Sequence, residues 1–354
     1  NWGYATTLAS RDGAIVMILE RMNRIIEVNE ELAYAVIEPG VTYEQFNAYL
    51  REHGHKLWID CIDGTAQGSV LGNAIERGVG ETSYGDHFGN LCGLEVVLPD
   101  GEVIRTGSTR PDLKTWHTHK WGVGPYLEGI FTQSNLGIVT RAGIWLLPEP
   151  QSHNSFVFQV FDEGVLPNVL DAYRHLALTG VITTKMHMIN DFVSMSILTQ
   201  RISEDVSQTE ALTDADLERL RHKYGVSPWS CAGAIYGAPA LVRLQRSLIR
   251  KALGPYGKLI FVADWQVPWI ERIVRWSWKN DVVRWLTQKL VGTSLPMLES
   301  APFVHKIQQG IPTEYFVKHA YYRYRQPRPV GDVHPARDGC GLIWFAPIVP
   351  FTND

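Results

Sequence analysis

The chain has 354 residues, 45% hydrophobic and 20% charged, enough for one large core or two smaller ones, and two domains is the expected division. Its formal net charge of −4 argues against nucleic acid or an anionic membrane as the main partner, and no run reaches the roughly 18 apolar residues of a membrane span. Small-molecule chemistry is the class that remains.

Four cysteines, Cys61, Cys92, Cys231 and Cys340, are scattered with no C-x-x-C pair, so neither a disulfide framework nor a zinc site is indicated and a reducing compartment is expected. The N-terminus lacks the basic, apolar and small-residue order of a signal peptide. Both ends read as truncations. Asn1-Trp2-Gly3-Tyr4 is turn chemistry with no element before it, and the chain stops at Asp354 soon after the apolar run 342–346.

In chain order, the turn Arg11-Asp12-Gly13 is expected to lead into a strand at 14–19, and a second strand at 33–37 runs into Glu38-Pro39-Gly40. Thr42 followed three residues on by Gln45 makes a capping box, and Gly54 suits a C-terminal cap, which predicts a helix over 43–53. Residues 68–80 hold four glycines broken by Ser69 and Asn73, a stretch whose backbone N–H groups could approach an anion such as a pyrophosphate. It is not the G-x-G-x-x-G of a Rossmann unit, no helix clearly follows it, and plain glycine turns explain it equally well.

Pro99-Asp100-Gly101 between apolar runs at 94–98 and 102–105 predicts a β-hairpin. The segment 131–140, polar and then β-branched around Gly137, can present main-chain groups to a flat heterocycle or simply open a strand. From about residue 151 strands alternate with helices predicted at 167–178, 214–224 and 238–253, the last two ending at Gly225 and Gly254. Residues 323–338, with three prolines, read as a surface-crossing or site-covering loop. The class is α+β.

Several of these stretches, in order, resemble the vanillyl-alcohol oxidase and 4-cresol dehydrogenase family of FAD-dependent oxidoreductases. They are Asn1 to Tyr4, Met22-Asn23-Arg24, 38–42, 68–80, Tyr84-Gly85-Asp86-His87, 92–98, 131–140 and 143–146, with returns at Gly310-Ile311-Pro312 and Trp344-Phe345-Ala346-Pro347. The resemblance implies an incomplete FAD-binding domain of the vanillyl-alcohol oxidase type over 1–150 and an α+β cap or substrate domain, also incomplete, over 151–354. It implies a cofactor lined by Asn1, Gly3, Gly40, Ser69, Gly72, Asn73, Gly78, Gly80, Gly137, Ile138 and Val139. The implied reaction takes a hydride from the benzylic carbon of a para-substituted phenol, through a quinone methide.

Tyr4 matches a tyrosine that hydrogen-bonds the phenolic oxygen, which pushes electron density towards the para carbon as hydride leaves. Asp63 matches an aspartate beside the flavin's reactive nitrogen, a place from which a carboxylate can accept a proton from water. One extra residue before Gly68 makes Asp60 its rival. Tyr321 matches the tyrosine through which FAD is attached covalently, with Tyr322 the alternative if the register slips, and Leu342 stands where the oxidases carry their linking histidine.

Glu81 replaces an active-site tyrosine of the family, which leaves the substrate open. The electron acceptor implied is a c-type cytochrome or, in an aryl-alcohol oxidase, oxygen; the family commonly forms homo-oligomers. A catalytically incomplete flavin-binding fragment is the reading from another class. No metal is expected: His117 and His119 could share a face, but no third ligand is apparent. The tryptophans at 265, 269, 276, 278 and 285 could wall a pocket, with core or interface the blander reading.

Overall fold

The computed structural model describes residues 11–107, 114–185, 187–291, 294–331, 333–341, 350 and 352. Two compact units emerge: Asn1–Glu149 together with Gln309–Pro312, and Pro150–Gln308 together with Thr313–Asp354. The first of these stretches ends at Glu149, and the units are not contiguous in sequence. Four residues from far along the chain belong to the first unit.

In the first unit, β1 (Ile25–Asn29), β2 (Tyr34–Ile37), β4 (Leu91–Val97), β5 (Val103–Arg105) and β6 (Ile138–Trp145) form an antiparallel sheet in the order β1-β2-β6-β4-β5. β2 is buried along its whole length, as a strand between two neighbours should be. The predicted hairpin forms, with Val97 opposite Val103 and Gly101 at φ 86°, a conformation that favours glycine. A bulge between Cys92 and Leu94 bends β4.

Helix α1 (Tyr43–Glu52) starts at Thr42, whose side chain accepts from the Gln45 N–H. The capping box is half made, because the Gln45 amide donates to the Asn23 carbonyl instead. Tyr43, Phe46 and Leu50 turn inward at i, i+3 and i+7, and Gly54 follows at φ 70°. The two-residue strands β3 (Leu57–Trp58) and β7 (Leu147–Pro148) pair beside it.

The strand expected at 14–19 does not form. Its apolar side chains lie in solvent, Ile15 at 93% and Ile18 at 71% exposure, with no partner strand among the described residues. An unbroken apolar run supplies side chains to bury; a strand also needs an edge to pair with.

The second unit is built on β11 (Lys258–Ala263), β8 (Ser152–Val160), β10 (Trp229–Gly237) and β9 (His187–Asn190), antiparallel in that order. Helices α3 (Leu166–Leu178) and α6 (Pro239–Leu253) supply Val169, Leu176, Val242 and Ile249 to a core with Phe156 and Phe158. The remaining helices are α4 (Asp191–Leu198), α5 (Asp214–Tyr224), α7 (Val267–Lys279), α8 (Asp281–Val291), α9 (Leu295–Ile307) and the short α10 (Pro335–Asp338).

The five tryptophans around α7 and α8 are not core residues. All are at least half exposed, and basic side chains lie over two of them, Arg284 against Trp278 and Lys289 against Trp285. No helix among the described residues is long and apolar enough to cross a membrane.

Candidate cofactor and catalytic site

The glycine-rich stretch contains a helix that sequence reasoning missed, α2 (Val70–Ile75), capped by Ser69, whose Oγ accepts from the Gly72 N–H at 2.8 Å. That hydroxyl in turn donates to the Pro39 carbonyl, and the Val70 N–H donates to the Val41 carbonyl at 3.0 Å. The Gly40 loop is thereby held against the start of α2. At the other end, Arg77 donates to the Thr132 hydroxyl at 3.1 Å and the Gln133 amide to the Glu76 carbonyl at 3.2 Å.

The Gly40 loop and the segment that leads to Gly137 are thus tied by hydrogen bonds to the two ends of the stretch 69–77. Gly40, Ser69, Gly72, Asn73, Gly78, Gly137 and Ile138 remain partly accessible, while Gly80 and Val139 are buried. Glycine-bearing loops tied together, with partly accessible main chain, suit a ligand that is approached by backbone, so the residues present fit FAD.

The glycines also have a second reason. A Cβ on Gly40 would fall 2.6–2.8 Å from the carbonyls of Leu19, Glu20 and Met22, and one on Gly80 would fall 2.2 Å from Asp60 Oδ2 and 2.3 Å from His87 Nε2. Close approach of this protein's own atoms requires them, independently of any ligand.

The space that Gly80 leaves is occupied by a buried polar cluster. Asp60 Oδ1 accepts from the backbone N–H groups of Glu81 and Thr82 at 2.9 and 2.8 Å, and Asp60 Oδ2 lies 3.2 Å from His87 Nε2. That last approach is a proximity rather than an aligned bond, since neither atom has a hydrogen-bond partner among the described residues. His87 Nδ1 lies 2.5 Å from Asn73 Oδ1 and 3.3 Å from the Tyr43 hydroxyl, whose proton burial holds on firmly. A narrow cavity bordered by Tyr43, Asp60, Tyr84, His87, Asn90 and Trp145 adjoins the cluster.

Asp60, the rival to Asp63, therefore has its carboxylate committed to the loop that carries Glu81. Asp63 is half buried, and desolvation raises its carboxyl above the ordinary aspartate range against the opposing bond from its own backbone N–H. A raised carboxyl holds a transferred proton more readily than an ordinary aspartate does.

In the second unit Tyr321 is fully buried, donating to Asp338 Oδ2 at 2.7 Å and accepting from the His334 N–H at 2.8 Å. Burial and the Asp338 charge both raise its phenol. The neighbouring Tyr322 is also buried, and its hydroxyl has no hydrogen-bond partner among the described residues. His117 is a buried residue bonded through Nδ1 to the Cys92 carbonyl at 2.9 Å, and no metal-ligand group includes it or His119 among the described residues. Asn1, Gly3, Tyr4, Leu342 and residues 344–347 lie outside the described residues.

The pairing of Asp60 with His87 was not visible in sequence, although Tyr84-Gly85-Asp86-His87 stood out. The signal that could have found it is the small residue at 80, which leaves room for two side chains to meet.

Residues 2–107 match the model of an FAD binding domain. The chain is 40% identical to a 1'-carboxy-chondrochloren decarboxylase of Chondromyces crocatus, over 100% of its own length and 64% of the relative's. It is 29% identical to the 4-cresol dehydrogenase [hydroxylating] flavoprotein subunit of Pseudomonas putida, over 98% of its own length and 59% of the relative's. Among solved structures it is similar to the 4-ethylphenol oxidase of Gulosibacter chungangensis in complex with isoeugenol, with a TM-score of 0.73 at 31% identity, covering 86% of this chain and 54% of that one. The chain spans about six-tenths of the length of these curated relatives.

Proposed function

The chain belongs to the vanillyl-alcohol oxidase and 4-cresol dehydrogenase family of FAD-dependent oxidoreductases, and from that premise we propose that it oxidises the benzylic carbon of a para-substituted phenol. The observation that carries this reading is the similarity to two enzymes named for para-alkylphenols across nearly the whole chain. FAD is the cofactor, and when bound it supplies a two-electron acceptor for hydride.

The backbone at Gly40, Ser69, Gly72, Asn73, Gly78, Gly80 and 137–139, with Asn1 and Gly3, holds the cofactor. Tyr4 donates to the phenolic oxygen and stabilises the phenolate. Loss of hydride from the benzylic carbon of that phenolate leaves a neutral quinone methide. Water then adds at the same carbon, Asp63 takes the proton that water sheds, and the electron pair returns to the ring oxygen.

A second reading rests on the 40% identity to a decarboxylase. With a carboxylate on the carbon next to the benzylic one, the quinone methide accepts the electrons of the C–CO2 bond instead of water. Carbon dioxide leaves and a vinylphenolate remains. Glu81, on the loop held by Asp60, is the residue by which this chain departs from the tyrosine of the family, and it marks where the two substrates would be told apart.

The test is turnover of the FAD-loaded chain with an artificial acceptor on 4-ethylphenol and on 3-(4-hydroxyphenyl)propanoate. Oxidised ethylphenol supports the first reading and carbon dioxide from the propanoate the second; flavin that neither phenol reduces overturns both. An oxygen electrode identifies the acceptor, with peroxide formation pointing to oxygen and strict need for a dye pointing to a cytochrome partner.

Tyr321 is the proposed point of covalent attachment: forming the O–C bond would break a C–H bond of the flavin, whose electron pair would stay with the flavin until the electron acceptor removes it, while Asp338 stands to take the phenol proton. After acid precipitation the flavin should stay with the protein, and Tyr321→Phe should release it. If Tyr322→Phe releases it instead, Tyr322 is the true link.

A further inference from the structure

We propose that the second unit carries a divalent-metal site formed by His153, Asp264 and His305, with zinc as the best-fitting ion. Sequence gave no hint of it, since Asp264 is separated by 111 residues from His153 and by 41 from His305. The fold brings them together. Ala263, the last residue of β11, pairs with Asn154 of β8, which sets Asp264 beside His153 at the sheet end, and α9 delivers His305 from its final turns.

One ligating atom from each residue lies within 4.8 Å of the others. His153 Nδ1 is 3.3 Å and His305 Nε2 2.8 Å from the same oxygen, Asp264 Oδ1. Two ligands at zinc–nitrogen and zinc–oxygen distances of about 2.0–2.1 Å in a tetrahedron stand about 3.3 Å apart, so the His153–Asp264 separation already suits an ion, His305 moves out from Asp264 by about half an ångström, and the separation between the two histidines, 4.8 Å at most, closes around it. Two imidazoles aimed at one carboxylate oxygen need positive charge between them, from N–H protons or from a cation.

The surroundings are those of a supported ligand set. His305 uses its other nitrogen, Nδ1, on the Ser155 hydroxyl, which orients the ring as a second layer does around bound metals. The Tyr236 ring stacks on His153 with 5.1 Å between centroids. Both histidine side chains are almost fully buried, at 1% and 2% exposure, whereas Asp264 is 54% exposed, so the fourth position opens to water or a further ligand. Two nitrogens and one oxygen favour zinc over calcium or magnesium.

The experiment uses the FAD-loaded chain without an affinity tag, stripped with chelator and titrated with zinc chloride. About one zinc per chain should be retained through desalting, and the melting temperature should fall on chelation and recover with zinc. Asp264→Asn keeps an oxygen that accepts two N–H bonds but is a poor metal ligand, so it should weaken zinc binding by more than the roughly 10–100-fold that loss of an outer-layer partner costs, and abolish the zinc-dependent shift. A parent chain that retains no zinc and melts at the same temperature with or without it overturns the site, as does an Asp264→Asn variant that binds zinc as tightly as the parent. Flavin content, read from the same samples, is expected to be unchanged by chelation.

Discussion

Asp63→Asn is expected to lower turnover of a para-alkylphenol by about 10²–10⁴-fold, the range for loss of one positioned proton acceptor, with flavin content unchanged. Stability should move the other way. Burial raises the Asp63 carboxyl in the folded chain, so folding favours its neutral form: the associated stability is fully present below the unfolded-chain value near 3.8 and is lost as pH rises through the folded value. Asparagine has no charge to bury, so the variant should melt at or above the parent's temperature at pH 7–8 and lose that advantage in acid. Activity and melting curves recorded across pH check both halves. An inactive variant that is also less stable at neutral pH would mean Asp63 is a structural residue. Asp60→Asn is the contrasting case, since its two backbone donors hold the 81–82 loop and its replacement should disturb folding along with activity.

The largest purely structural effect is expected at Gly310. Its φ is +69°, and a Cβ there would fall 2.1 Å from the Ile59 carbonyl oxygen, an atom of the main chain that cannot swing aside. Alanine meets both the left-handed penalty, about 1–2 kcal/mol, and an overpacking cost of about 1–3 kcal/mol. Gly310→Ala should therefore lose about 2–5 kcal/mol by urea denaturation of the flavin-loaded chain. Gly339→Ala is the matched control, with the same φ of +69° and open space around the position, and should lose only about 1 kcal/mol. Equal losses in the two variants would remove steric closeness to Ile59 from the account.

Elements with local signals were legible in sequence. Thr213 and Asp216 make a full capping box, Gly225 ends α5 at φ 64°, and the hairpin at Gly101 follows from its own turn chemistry. Helix α2 was not legible, because six residues including Gly72 carry little periodicity and the helix rests on the Ser69 cap and burial of Val70, Leu71 and Ala74. The run 14–19 showed the opposite failure, a convincing pattern without a neighbour.

The segments proposed for the cofactor stand out because their chemistry is written in consecutive residues. Asp60 with His87, and His153 with Asp264 and His305, depend on chain crossings that only the fold supplies. The same holds for Gly80, whose role in making room for Asp60 and His87 cannot be separated in sequence from a role in approaching a phosphate.

The small return of Gln309–Pro312 to the first unit, where the Asn47 amide donates to the Gly310 carbonyl at 2.8 Å, also orders events in time. Some 160 residues separate this clip from the end of the first stretch of that unit at Glu149. At roughly 5–20 residues per second, a ribosome needs about 8–30 seconds to deliver it. Until then the nascent first unit lacks a piece of its own packing, and the Asn47 amide lacks the Gly310 carbonyl.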